Sequence, residues 1–195
     1  METYKSVDTF HAKSLKEWRK WLIENHAQEK NLWLIIYHKN CSTPSVYYDE
    51  AVDEALCFGW VDSLVNKRDE ESYYQYFAKR SPKSNWSRVN KDKVERLLKE
   101  NRMAPAGLEM IEIAKSSGTW TALDDVENLI IPDDLGEALD LLPPARENFE
   151  AFPRSVKRGI LEWLFNAKRP ATRTKRIKEI SEKAQRNERA NQYVR

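Results

Sequence analysis

A single glycine, Gly59, limits most sharply what the middle of this chain can become. Residues 48–58 before it place Val52, Ala55 and Leu56 on one face at helical spacing. A glycine just past such a stretch adopts the left-handed backbone that closes a helix. Residues 60–67, WVDSLVNK, and residues 73–80, YYQYFAKR, then read as strands, the second alternating Tyr73, Gln75 and Phe77 against Tyr74, Tyr76 and Ala78. RDEES between them reads as a turn, so a β-hairpin is the simplest connection. Phe58 and Trp60 are expected to leave the corner on opposite sides.

The flanks repeat this logic. Ser14 and Glu17 have capping-box spacing, and Leu15, Trp18 and Leu22 follow at helical period, which predicts a helix over 15–26. NLWLIIYHK, residues 31–39, is a short apolar run rich in β-branched and aromatic residues, as in a buried strand. Val94, Leu97 and Leu98 mark a helix near 88–101. Pro105 fits the first turn of another, ending before Gly118. Residues 121–131 read as irregular, 132–142 as a helix stopped by Pro143-Pro144, and 145–152 as a helical turn. Val156, Ile160, Trp163 and Leu164 stripe a further helix, and a basic one runs over 172–188. The expected fold class is α+β: a small antiparallel sheet covered by helices, followed by a helical C-terminal region.

Charge is distributed in blocks. Residues 121–152 hold nine acids and one base, residues 153–195 thirteen bases and four acids, and residues 79–102 nine bases and three acids. The expected organisation is therefore an α+β domain over 1–120, an acidic proline-broken connector over 121–152, and a basic helical region over 153–195. No apolar run approaches the length of a membrane span, and METYKSVDTFHAKS has no apolar core of a signal peptide, so a cytoplasmic location is expected. Cys41 and Cys57 are too few for a disulfide framework.

Catalytic motifs are scarce. Cys57 falls in the last turn of a helix, where the dipole disfavours a thiolate, so it reads as a small buried hydrophobe rather than a nucleophile. Asp62 reads as a structural carboxylate that caps a backbone group or pairs with Arg80 across the hairpin. His11, His26 and His38 lack zinc spacing with each other or with the cysteines, and no glycine-rich phosphate loop is present, so neither metal nor cofactor is expected. The positive signal is KRSPKSNWSRVNK, residues 79–91, where bases, small hydroxyls and one tryptophan lead into a helix start. Such a segment suits an anion, through free backbone N–H groups and the dipole. Equally, its Ser and Asn residues could simply cap the helix while Trp86 joins the core.

The quoted segments resemble a known family. DEALCFGWVDS, YYQYFAKRSPKSNWSRVNKDKVERLL, MAPAGLEMIEIAK and the tail WLFNAKRPATRTKRIKEI are similar to the YdeI/OmpD-associated, or bacteriocin-protection, family, over roughly residues 10–185. Where that family carries a proline-arginine step after the aromatic strand, this chain has Lys79-Arg80, which leaves Arg80 as the matched residue. The resemblance implies a connection with envelope stress and with resistance to bacteriocins and cationic peptides. It implies no catalytic residues and no cofactor.

The function expected is a non-catalytic module that binds an anionic small molecule or a protein partner. Its candidate ligand-binding residues are Asp62, Lys67, Arg68, Arg80, Ser84, Trp86 and Asn90. One alternative is a nucleic-acid-associated protein using the basic C-terminal helix. Another is an enzyme with Asp62 or Cys57 in its site.

Overall fold

The computed structural model describes residues 2–191. Met1 and the last four residues of the basic C-terminal region lie outside the described residues. The chain forms two compact units, divided between Thr121 and Ala122.

The N-terminal unit opens with a tight hairpin of β1 (Thr3–Tyr4) and β2 (Val7–His11), turned through Lys5 and Ser6 at positive φ. Helix α1 (Leu15–Asn25) follows, with Ser14 Oγ accepting the Glu17 N–H at 3.3 Å. The reciprocal arm of the cap reaches one residue further back, since Glu17 accepts from the Lys13 N–H at 2.9 Å. Next come β3 (Asn31–Tyr37), α2 (Tyr48–Cys57), β4 (Trp60–Lys67), β5 (Ser72–Lys79), α3 (Arg88–Lys99) and α4 (Pro105–Ser117). Gly59 sits between α2 and β4 at φ +71, the left-handed corner its position predicts.

The sheet has five strands in the order β1-β2-β3-β5-β4. It is mixed, because β2 lies parallel to β3 while the β3–β5 and β4–β5 pairs are antiparallel. The parallel partner of β3 is β2, which with β1 comes from residues 3–11, too short and too polar to announce themselves as strands. One face turns Leu32, Leu34, Ile36 and Phe77 into a core with Trp18, Leu22, Val52, Leu56, Val94 and Leu97. The other face buries Trp33, Ile35 and Tyr74 without a covering helix. Tyr4 covers them instead, stacked 4.2 Å from Tyr74 and edge-on to Trp33 at 5.2 Å. Aromatic side chains supply large buried area per residue, which lets a two-residue strand do the work of a helix here.

The C-terminal unit is all helix: α5 (Asp124–Glu127), α6 (Asp133–Asp140), α7 (Ala145–Ala151), α8 (Arg154–Phe165) and α9 (Pro170–Gln185). The acidic stretch expected to be a connector is built into this unit. Leu135, Leu139, Ala145 and Phe149 share one core with Ile160, Leu161, Leu164, Ile180 and Ala184. Except for Glu127, which is buried against Arg158, its acids occupy outer positions while the inner ones are apolar, so net charge concealed an amphipathic pattern.

Candidate functional site

The β4–β5 hairpin sorts the candidate residues. Trp60 pairs with Lys79 at one end and Lys67 with Tyr73 at the other. Seven residues of strand at about 3.3 Å each separate Trp60 from Lys67 by roughly 23 Å. Lys67 and Arg68 therefore cannot share a small ligand with Arg80. Each also has partners of its own. Lys67 Nζ pairs with Glu70, while Arg68 meets Asp69 at 3.0 Å, Glu2 at 3.6 Å and the Tyr37 hydroxyl at 3.3 Å.

The segment 81–90 is held by local bonds. Ser84 Oγ donates to the Ser81 carbonyl at 2.8 Å, forming a turn. Ser87 is the N-cap of α3, accepting the Asn90 N–H at 3.3 Å. Trp86 is 2% exposed and packs against Trp120 at 5.0 Å, so its indole is core. Asp62 accepts the Tyr48 hydroxyl at 2.8 Å rather than pairing directly with Arg80.

Arg80 stands apart. It is only 4% exposed. Its N–H bonds the Gly59 carbonyl at 2.9 Å, which pins the end of β5 to the corner. The guanidinium lies 3.6 Å from the centre of the Trp86 ring, and Nη2 donates to the Asn85 carbonyl. Nε and Nη1 have no protein partner. Among the described residues three buried polar side-chain atoms lack a partner, and two of them belong to this one group. Burial pushes the guanidinium down to about 10, opposed weakly by the field of Asp62, so it stays charged at neutral pH. A buried charge costs several kcal/mol unless something answers it, and stacking on an indole returns only about 1–2 kcal/mol.

Arg80 lines an open pocket of about 360 Å³ with His26, Phe58, Trp60, Lys79 and Met110. Lys79 Nζ donates to the Ala27 carbonyl at 2.6 Å and His26 Nδ1 to the Leu22 carbonyl at 2.8 Å. One acid, Glu109, faces these three basic groups. The pocket is therefore positively biased, with an aromatic and thioether wall. Lys79 belongs to the run singled out in the sequence, but His26 does not. Its only sequence signal was its place at the end of α1, and the link to Trp60, whose Nε1 donates to the His26 carbonyl at 3.3 Å, is long-range.

Chemistry at Cys57 finds no support in this arrangement. The thiol is fully buried, and burial followed by the nearby Glu54 pushes it up to about 11. Glu54 itself, 2% exposed, is clamped by Arg19 at 2.5 Å and Arg102 at 2.6 Å. Among the described residues no group of three or more His, Cys, Asp or Glu side chains is placed to hold a metal. No helix among them is long and apolar enough to cross a membrane.

No curated protein and no solved structure matches the chain significantly. Two family models do. One, described as bacteriocin-protection, YdeI or OmpD-associated, matches residues 128–187, within the C-terminal unit. The other covers residues 10–110, which hold the GWVDS and SNWS motifs, the strands β3, β4 and β5, and the Arg80 pocket. With just over half of its length inside that second model, the chain belongs to the family described as a domain of unknown function, DUF8412.

Proposed function

We propose that the N-terminal unit is a non-catalytic binding module for an anionic small molecule, held against Arg80 with help from Lys79 and His26. The observation that carries this reading is the buried guanidinium with two unpartnered nitrogens in the wall of an open pocket. Nε and Nη1 lie on different edges of the guanidinium and both are closed to solvent, so a carboxylate or phosphate admitted by a small shift of the wall would accept from one of them, and would neutralise a charge the fold leaves unanswered. Phe58, Trp60 and Met110 suit an apolar or planar remainder of such a ligand. Of the candidate residues read from the sequence, Arg80 and its stacking partner Trp86 stay in this reading, with Asp62 acting through its field. Lys67, Arg68, Ser84 and Asn90 drop out. The family description of residues 128–187 suggests bacteriocin protection as the physiological setting, and a cytoplasmic location remains part of the proposal.

The nucleic-acid alternative loses its motive in the C-terminal unit. Arg173 pairs with Asp134 at 2.6 Å, Lys183 with Glu179 at 3.2 Å and Lys178 with Glu182 at 3.7 Å, so much of the basic helix is already answered by acids.

Thermal unfolding tests the anion site. Inorganic phosphate, adenosine monophosphate and benzoate are titrated against the wild-type chain and Arg80→Met. An anion at about a hundredfold its Kd adds about 2.7 kcal/mol to the native state, which reads as a rise of several degrees in Tm. At least one probe should stabilise the wild type and leave Arg80→Met unmoved. Equal responses in the two proteins, or none in either, would overturn the reading.

A further inference from the structure

The far end of the same hairpin carries a second hollow of opposite character. Two adjoining openings share His38 and Tyr73. The first, about 300 Å³, lies between the end of β3 and the start of α2, and is lined by Tyr37, Tyr47, Tyr48 and Tyr73 with Asp49 and Glu50. The second, about 470 Å³, continues past Val65 to Lys67, Asp69 and Glu70 near the hairpin turn. Together they form a trough with four phenol rings and four carboxylates against two lysines, Lys39 and Lys67. Lys67 is already neutralised by Glu70 and Asp69 by Arg68, while Glu50 accepts the Tyr47 N–H at 3.3 Å, which leaves Asp49 and Glu50 to set the negative bias of the trough.

Several features of the walls select for a cation. The Asp49 side chain is 86% exposed, with Lys93 3.6 Å away as its partner. Tyr48 is fixed by its bond to Asp62, and Tyr73 lies 5.5 Å from the His38 ring. Lys39 Nζ stands 5.3 Å from the centre of the Tyr47 ring, so the chain's own ammonium already uses one wall in this way. Ring faces carry negative quadrupole density and attract ammonium groups, best when the cation sheds little water to reach them. A divalent metal would instead need a cage of oxygen ligands, and the described residues place no such cluster.

We propose that this trough binds a small organic ammonium, methylated rather than primary, against the faces of Tyr47 and Tyr73, with Asp49 and Glu50 as counter-charges. Lys39 acts as an internal competitor for the Tyr47 face.

The test uses choline and its uncharged isostere, in which carbon replaces the quaternary nitrogen, each titrated into the whole chain and followed by backbone amide NMR. Choline should shift the amides of His38, Tyr47 and Tyr73, and the isostere should bind at least about fivefold more weakly. Lys39→Ala vacates the ring and should tighten choline about threefold, while Asp49→Asn should weaken it about threefold. Both side chains are exposed, so neither change threatens the fold. Equal affinity for the two probes, shifts confined to other surfaces, or an affinity indifferent to both substitutions would overturn the proposal.

Discussion

The two units treat their arginines differently. In the C-terminal unit Arg146, Arg158 and Arg173 each close on a carboxylate, at 2.7 Å from Asp140, 2.9 Å from Glu127 and 2.6 Å from Asp134. In the N-terminal unit Arg19 and Arg102 clamp Glu54, and Arg96 reaches Asp53 at 2.6 Å, but Arg80 is buried deeper than any of these and meets no carboxylate. An answered charge sets helix positions and has little left to offer a ligand. An unanswered one in a pocket wall is an unmet demand, and unmet demands of this kind gather at functional sites. The contrast is consistent with the proposal that the N-terminal unit is the part that binds.

Substitutions can break or sharpen that contrast. The largest effect is expected from Glu54→Ala, which takes the acid from Arg19 and leaves Arg102 only its more exposed partner, Glu100 at 2.9 Å. Breaking a buried pair from one side costs about 3–5 kcal/mol, read as a lowered denaturation midpoint. Gly107→Ala comes next. An added Cβ would stand 2.2 Å from the Cys57 carbonyl oxygen, so α4 must shift away from the end of α2. Overpacking of this kind costs about 1–3 kcal/mol by the same measurement. Arg80→Met should leave stability unchanged or raise it by up to about 2 kcal/mol, because it removes an unanswered buried charge and a methionine can keep the packing against Trp86. A loss as large as that of Glu54→Ala would show that Arg80 is structural after all, and the contrast would fail.

The smallest effect belongs to the surface of the C-terminal unit. Hydrogen bonds from Arg173 hold the Asp134 carboxyl below its ordinary value of 3.8, with burial opposing them. A depressed carboxyl stabilises the fold above its unfolded pKa, and that contribution is lost as pH falls below it. Asp134→Asn should therefore cost under about 1 kcal/mol at neutral pH, less in high salt. In acid, Tm curves of the variant and the wild type should converge.

Much of this was legible in the residues. The capping spacing at Ser14, the glycine corner at 59, the alternation in 73–80 and the proline at 105 all report local backbone preferences, and each became the element expected. The site was legible only in part. Arg80 was singled out for standing among other bases, yet of those bases only Lys79 lines its pocket. Lys67 and Arg68 looked adjacent because a hairpin brings strands together, but register puts them at its opposite end. Ser84 is bound up in a turn and the Asn90 backbone N–H in the Ser87 cap, close to what sequence had offered as the competing reading. The resemblance was similarly divided. It was read mainly from N-terminal motifs, whereas the YdeI/OmpD-associated match runs over residues 128–187 and those motifs fall within the other family.

Periodicity, caps and breakers determined by themselves where most of the helices and strands lie, because those preferences act within a few residues; they missed the one-turn α5 inside the stretch read as irregular, and set the last helix at 172–188 where it runs from Pro170 to Gln185. Tertiary structure alone decided that residues 3–11 join the sheet, that the acidic stretch folds into a helical core, and that one arginine of a basic run is buried against an indole without a counter-charge. Burial and pairing are sums over contacts distant in the chain, and no window of sequence contains their terms.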